Sequence, residues 1–190
     1  MCYVGQARVD RLRQAYDLEV EHCAFELHPG IPLEGQEIPW PPQRLAAARA
    51  HFEQVANSEA LSYGTRTHWY NSIPAHEAAL WAEEHDQHQA EAFRRAVYRA
   101  YFVEDRNIAS HDVLAELADG VGLESGDLRA ALEEARYRPR VEEQFEFARA
   151  AGVTGVPAYV AGKYMMIGAQ PYYVFCKLIE TAQAEGEPAS

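Results

Sequence analysis

This chain of 190 residues contains three cysteines, the residue type that supports thiol redox chemistry. Cys2 lies at the start of a predicted helix, where free N–H groups and the positive end of the helix dipole favour a thiolate. Cys23 and Cys176 lie in apolar segments, where a free cysteine packs as a small hydrophobic side chain. The sequence contains no Cys-x-x-Cys pair and no metal ligands at matching spacing. Cysteine chemistry therefore depends on a single thiol, and no metal site is predicted.

A valine–proline pair opens a short apolar run near the C-terminus. Pro157 has no N–H, so a strand that begins there must use an edge or irregular position. A trans bond is the usual state of an X–Pro peptide, but a cis bond is one way to expose a backbone edge. The residues alone therefore leave both isomers of Val156-Pro157 open.

Two polar residues lie close to a predicted helix start. Asn71 is among the best N-cap residues and Pro74 suits a first turn, so a capping role is favoured over ligand binding. His76 has two open interpretations. It is either a helix residue satisfied by a neighbour or a side chain that tunes a nearby thiolate.

The periodicity of apolar residues defines the elements that must position these side chains. Spacings of three and four indicate helices, alternation indicates strands, and clustered prolines and glycines mark loops and turns. The predicted order is a helix over 4–16, a strand over 18–27, a proline-rich loop over 29–42, helices over 43–152, a hairpin of 158–161 and 164–167, and a helix after Pro171. The polar tail from Ala184 is expected to be frayed. This order favours an α/β fold.

The amino-acid composition disfavours nucleic acid and membranes as partners. The chain carries 17 Lys and Arg against 29 Asp and Glu, for a formal net charge of −12. Nucleic acid is disfavoured as a partner, because phosphate contacts need clustered cations. The longest apolar runs fall far short of the roughly 20 residues of a membrane helix, so no membrane partner is expected. Charged residues at 8, 10, 11 and 13 interrupt any signal peptide, and a cytoplasmic location is predicted.

Five segments in order resemble the DsbA family, FrnE type. They span nearly the whole chain and are Cys2-Tyr3-Val4-Gly5, Phe25-Glu26-Leu27-His28-Pro29, Asn71-Ser72-Ile73-Pro74-Ala75-His76, Gly152-Val153-Thr154-Gly155-Val156-Pro157 and Gly168-Ala169-Gln170-Pro171. The resemblance extends to 2-hydroxychromene-2-carboxylate isomerases and kappa-class glutathione transferases. It implies a thioredoxin-like core over 1–40 and 153–190, with a large all-helical insertion over 41–152.

The resemblance also implies roles for individual residues. Cys2 corresponds to the second, resolving cysteine of the family motif Cys-Pro-Trp-Cys-Tyr, and the usual nucleophile, the first cysteine of that motif, is missing. Asn71 and His76 would lie on the insertion and face the thiol. Val156 and Pro157 would bind the substrate backbone, and from the Gly152–Pro157 block we predict that the Val156-Pro157 bond is cis.

Three functions follow from the resemblance. The first is a protein thiol–disulfide oxidoreductase. The second is a glutathione-dependent isomerase or transferase, and the third is a non-catalytic relative or fragment. No cofactor is expected, with glutathione as a co-substrate of the second class. A disulfide-bearing protein or glutathione would be the partner. The oligomeric state is left open, a dimer included.

Two further expectations concern the sheet. The first strand of a thioredoxin-like core is missing, so the start of the chain is expected to be truncated and backbone groups beside the empty position to be unpaired. Phe25, Leu27, Tyr159 and Ile167 are expected to form one sheet-based core that excludes the helical stripes of Leu45 and Phe93.

Overall fold

A computed structural model describes residues 1–186. The elements are α1 (Cys2–Ala15), β1 (Gln36–Glu37), α2 (Pro42–Asn57), β2 (His68–Trp69), α3 (Ile73–His85), α4 (Gln87–Phe102), α5 (His111–Gly120), α6 (Leu128–Glu133), α7 (Arg138–Ala150), β3 (Ala158–Ala161), β4 (Tyr164–Ile167) and α8 (Tyr172–Gly186). The tail predicted to be frayed begins at Ala184, and its last part, residues 187–190, lies outside the described residues. Among the described helices, none has the length and apolar character to cross a membrane.

The hairpin β3–β4 forms at the predicted residues. Its strands are antiparallel, with Tyr159 opposite Met166 and Val160 opposite Met165. Gly162 adopts a φ of 56° in the turn, a left-handed conformation that glycine takes without steric cost. The predicted hairpin is confirmed.

Only one face of this hairpin is covered. Tyr159 and Met166 point toward α1 and α8, where they pack with Leu12 and Phe175. Side chains alternate across a strand, so the neighbouring residues face the other way. Ile167 is 40% exposed and Val160 is 61% exposed on that face.

The predicted sheet-based core is therefore smaller than expected. Tyr159 belongs to it, and Phe93 lies in a different cluster as predicted. The inclusion of Ile167 and of Leu27, which is 46% exposed, is wrong. No helix or strand within residues 1–186 covers the side chain of Ile167 or of Leu27.

The strand predicted over 18–27 is also wrong. These residues have no regular secondary structure, and residues 17–28 form no backbone–backbone hydrogen bond within the described chain. A strand exists only through pairing with a neighbour, and none of the strands described within residues 1–186 pairs with this segment. Side chains from the helical block hold this segment instead: the amide of Ala24 donates to Oε1 of Gln144 at 2.9 Å.

A second apolar cluster fills the helical block. Its largest fully buried members include Trp81, Phe93, Leu114 and Leu128, which come from α3 to α6. Side-chain caps begin two of the helices: Asp86 accepts from the amides of α4 and Ser110 from an amide of α5.

The insertion is not purely helical, in contrast to the prediction. The two residues of β2 pair with β1, so Gln36 lies opposite Trp69 and Glu37 opposite His68. This short ladder joins the proline-rich loop to the helical block. The domain boundaries at 40/41 and 152/153 remain a prediction.

Candidate active site at the start of the first helix

Cys2 is the first residue of α1 and is partly buried. Burial raises the pKa of its thiol, because desolvation disfavours the charged form, and the terminal amino group and Arg66 offset this only in part. A backbone hydrogen bond at the start of α1 lowers the pKa of Cys2 as expected, but this effect is smaller than that of burial. Desolvation is the dominant effect at this position.

The turn before β3 lies directly against the first turn of α1. A Cβ atom added to Gly5 would stand 3.3 Å from Cγ of Pro157 and would overlap the hydroxyl of Tyr159. Gly5 therefore permits a close approach that any larger residue would prevent. Its place in the Cys2–Gly5 segment was the only sequence signal of this role.

The Val156–Pro157 peptide bond is cis, as the sequence predicts. The carbonyl of Pro157 accepts from the amide of Gly168 at 2.7 Å. The backbone groups of Val156 have no hydrogen-bond partner within residues 1–186. A backbone donor and acceptor are thus left available beside the helix that carries Cys2.

Arg8 links three segments near the start of α1, a role that the sequence analysis did not predict. Its side chain is almost completely buried, with Nε 2.8 Å from Oε1 of Glu59. Its Nη1 donates to the carbonyls of Ala169 and Gln170. Arg8 therefore connects α1 to the end of α2 and to the loop after β4, and no local spacing in the sequence indicates contacts this distant.

Two tyrosines lie near the thiol. Burial raises the pKa of both Tyr98 and Tyr159, and the negative charge of an ionised Cys2 raises both further. Their hydroxyls stay protonated at neutral pH and can act as hydrogen-bond donors.

A cavity of about 270 Å³ lies between α1 and α4. Tyr3, Leu61 and Tyr98 contribute apolar walls, and Asp10 and Arg95, which pair at 2.9 Å, close one side. Tyr3 follows Cys2 directly in sequence, so the cavity adjoins the start of α1. Its size suits a small aromatic molecule.

Arg66 is a further cation near Cys2 that sequence reasoning missed. Its guanidinium carbon stands 4.6 Å from the ring centre of Tyr101 and 5.3 Å from that of Phe102. Tyr3 stacks on the same Phe102, with ring centres 6.1 Å apart. These contacts place a positive charge on the insertion next to the start of α1.

His76 and Asn71 have structural partners. The carbonyl of Phe25 hydrogen-bonds to His76, whose ring also meets Phe145 edge-on at 5.9 Å. Burial lowers the pKa of His76 to about 4, and the bond to Phe25 offsets this in part. The groups whose charges act on Cys2 do not include His76. A catalytic role for His76 gains no support from these contacts.

Asn71 is a bridge between the proline-rich loop and α3. Its Nδ2 donates to the carbonyl of Ile31 at 2.7 Å, and its Oδ1 accepts from the amide of Ile73 at 2.9 Å. This agrees with the capping interpretation, although Ser72 is the residue at the N-cap position.

The other two cysteines are free and lie apart from this site. Cys176 is partly buried against the hairpin cluster. Cys23 is exposed and donates to the carbonyl of Gln144 at 3.5 Å, so the expectation of a buried side chain is wrong there. Its exposure follows from the missing strand. Within residues 1–186, no three metal-ligating side chains come together.

Comparison with known proteins identifies the family. Residues 1–180 match the family described as the DSBA-like thioredoxin domain. The probable DsbA oxidoreductase of Streptomyces coelicolor has a structure similar to this chain, with a TM-score of 0.88 and 31% identity over 100% of this chain and 87% of that protein. This similarity confirms the predicted α/β fold, a thioredoxin-like core with a large, mostly helical insertion.

Two more distant structures share the fold. A 2-hydroxychromene-2-carboxylate isomerase has a TM-score of 0.75 and 19% identity over 96% of this chain and 88% of its own. The cytosolic disulfide reductase DsbM from Pseudomonas aeruginosa, in a structure with GSH, has a TM-score of 0.67 and 18% identity over 97% of this chain and 90% of its own.

Proposed function

The chain belongs to the family of DSBA-like thioredoxin domains, and from this membership we propose that it is a thiol–disulfide oxidoreductase of the FrnE type that reacts through Cys2. The single observation that carries the proposal is the contact between the Pro157 turn and the first turn of α1 at Gly5. This contact supports the proposal because it brings the free backbone of the Pro157 turn close to the helix that begins at Cys2.

The substrate would add to the free backbone of Val156. An extended segment that carries a disulfide can donate to the Val156 carbonyl and accept from its amide, as an added strand does at a sheet edge. That pairing holds the disulfide near Cys2. Asn71 and His76 are proposed to support this arrangement at a distance, because they fix the proline-rich loop and Phe25 respectively.

The chemical step is an exchange between one thiol and one disulfide. Cys2 loses its proton to solvent, and the thiolate attacks one sulfur of the substrate. A bond forms between Cys2 and that sulfur, the substrate S–S bond breaks, and the other half leaves as a thiolate. A second, external thiol then attacks the mixed disulfide and releases Cys2. As a resolving thiol, Cys2 would instead attack a mixed disulfide already formed between a partner protein's cysteine and the substrate. A bond forms between Cys2 and the partner's sulfur, and the substrate leaves as a thiolate.

A glutathione-dependent isomerase is the second candidate, favoured by the cavity of about 270 Å³ between α1 and α4, whose wall includes Tyr3. Its apolar walls and the protonated Tyr98 hydroxyl suit an aromatic substrate with an oxygen acceptor. In that reaction glutathione would add to the substrate and leave again without net oxidation. Disulfide reduction and isomerisation are therefore distinguishable by their products.

The test compares Cys2→Ser with Cys23→Ser in two assays. We expect the native chain and Cys23→Ser to accelerate the reduction of insulin by dithiothreitol, and Cys2→Ser to lose that activity. Turnover of 2-hydroxychromene-2-carboxylate with glutathione, in the absence of insulin reduction, would instead favour the isomerase. Insulin reduction that persists in Cys2→Ser would contradict the assignment of Cys2 as the reacting thiol. The cytoplasmic location remains a prediction.

A further inference from the structure

We propose, on the premise that Cys2 exchanges with disulfides as described above, that Arg66 binds a carboxylate of the reacting small disulfide. The site would then select carboxylate-bearing disulfides over uncharged ones. Arg66 would be a specificity-determining residue on the insertion, across from the helix that carries the thiol.

The first argument is that Arg66 lacks an anionic partner. The chain has a net charge of −12, and most of its arginines pair with carboxylates. Arg66 has no carboxylate within 4.0 Å among residues 1–186, and its buried Nε–H has no hydrogen-bond partner there. Buried donors are nearly always satisfied, so a donor left free in this position indicates an absent acceptor.

The second argument is that the acidic residue beside the same aromatic rings does not pair with Arg66. Asp105 comes four residues after Tyr101, on whose ring the Arg66 guanidinium stacks. Its Oδ2 accepts from the amide of Thr67 at 3.0 Å and from the Thr67 hydroxyl at 2.6 Å, which holds the loop that carries Arg66. Its Oδ1 is buried without a hydrogen-bond partner among residues 1–186, so Asp105 does not supply the acceptor that the Arg66 Nε–H lacks.

The third argument is that the position of the guanidinium is fixed. It stacks on Tyr101 and Phe102, and Phe102 in turn stacks on Tyr3, the neighbour of Cys2. A cation held on aromatic faces keeps its orientation without a salt bridge. Its charge reaches the thiol, since it lowers the pKa of Cys2 against the larger effect of burial.

The fourth argument is the space around Arg66. A groove of about 30 Å³ lies beside it, between Trp40, Tyr63 and Arg49. This volume accepts one small group, and two cationic side chains on its walls favour an anion. The planar guanidinium can donate two parallel hydrogen bonds to a carboxylate, which fits this group better than a sulfur or a hydroxyl.

The test measures selectivity between two aromatic disulfides in a Cys23→Ser/Cys176→Ser background. One is 5,5′-dithiobis(2-nitrobenzoate), with a carboxylate on each half, and the other is uncharged 2,2′-dithiodipyridine. Formation of the mixed disulfide at Cys2 releases one coloured thiol or thione per chain, and stopped-flow absorbance gives both rates. The ratio of the two rates cancels any change in the fraction of Cys2 that is ionised.

We expect Arg66→Gln to lower the ratio about tenfold in favour of the uncharged disulfide, the scale of one lost hydrogen bond to a charged group. Arg66→Lys keeps the charge but loses the paired donors, so its ratio should fall less. Arg44→Gln is the matched control, because Arg44 also stacks on an aromatic ring, at 4.4 Å from Trp40, and its exposed side chain has no carboxylate within 4.0 Å in the described chain. Its ratio should not change.

An unchanged ratio in Arg66→Gln, or an equal fall in Arg44→Gln, would overturn the assignment of Arg66. If Arg66→Gln does not fold, Arg66→Lys decides the question by the same ratio, and a native ratio there counts against paired donation. A Cys2 that reacts with neither disulfide in the parent chain would instead contradict the proposed function. The two failures are therefore distinct.

Discussion

Replacement of Arg8 by methionine should destabilise the chain far more than the loss of an ordinary surface ion pair. Methionine keeps most of the length of the side chain but removes the charge and every donor. Glu59 would then remain without its partner at a site where its side chain is 11% exposed. The carbonyls of Ala169 and Gln170 would also lose their donor.

The magnitude follows from this burial. Removal of one partner from a buried pair costs about 3–5 kcal/mol, because the other charge stays uncompensated. Total stabilities of about 5–15 kcal/mol make this a large fraction. For a chain of this size we expect the melting temperature of Arg8→Met to fall by about 10 °C.

Urea unfolding followed by circular dichroism gives the free energy directly, and Arg13→Met is the control. Arg13 lies on the same helix and pairs with Glu91 at 3.3 Å, but its side chain is 39% exposed. Such a pair contributes about 0–1 kcal/mol. Equal losses of stability in Arg8→Met and Arg13→Met would refute the view that Arg8 is the buried connection between α1, α2 and the loop after β4.

Three further predictions can be measured on the same material. Gly5→Ala should lose about 1–3 kcal/mol of unfolding free energy from overlap with the Pro157 turn, whereas Gly120→Ala, where nothing lies within 4 Å of an added Cβ, should not. The rate of alkylation of Cys2 by iodoacetamide should rise with a pH midpoint above that of a fully exposed cysteine, because burial raises the pKa of the Cys2 thiol, and Arg66→Gln should move that midpoint higher. Unfolding free energy should fall by about 2–3 kcal/mol as the pH drops from 6.5 to 4, since His76 binds a proton in the unfolded chain first; His76→Asn should flatten this slope.

The sequence predicted the elements whose causes are local. The helices follow from apolar spacing and caps such as Ser110, and the hairpin follows from the Gly162 turn between two apolar runs. The strand over 18–27 failed because alternation describes a suitable strand but cannot supply the partner that it must pair with. Leu27 is exposed for the same reason.

The residues of the candidate site also differ in whether a local sequence signal indicates their role. Cys2 and Pro157 carry local signals, a helix start and a turn before a strand. Arg8 and Arg66 act through partners distant in sequence, such as Ala169 for Arg8, and a single arginine in a charged chain has no pattern that indicates this. The pKa of Cys2 is equally non-local, because burial by the insertion and the Pro157 turn outweighs the helix terminus.

The central claim is that Cys2 is the thiol that exchanges with a disulfide. The most direct measurement incubates the native chain with oxidised glutathione, digests it without reductant and maps the mixed disulfide by peptide mass. We predict a glutathione adduct on the N-terminal peptide that contains Cys2, which forms faster than any adduct on exposed Cys23 and disappears in Cys2→Ser. Glutathione on Cys23 alone, with Cys2 unmodified, would contradict the account.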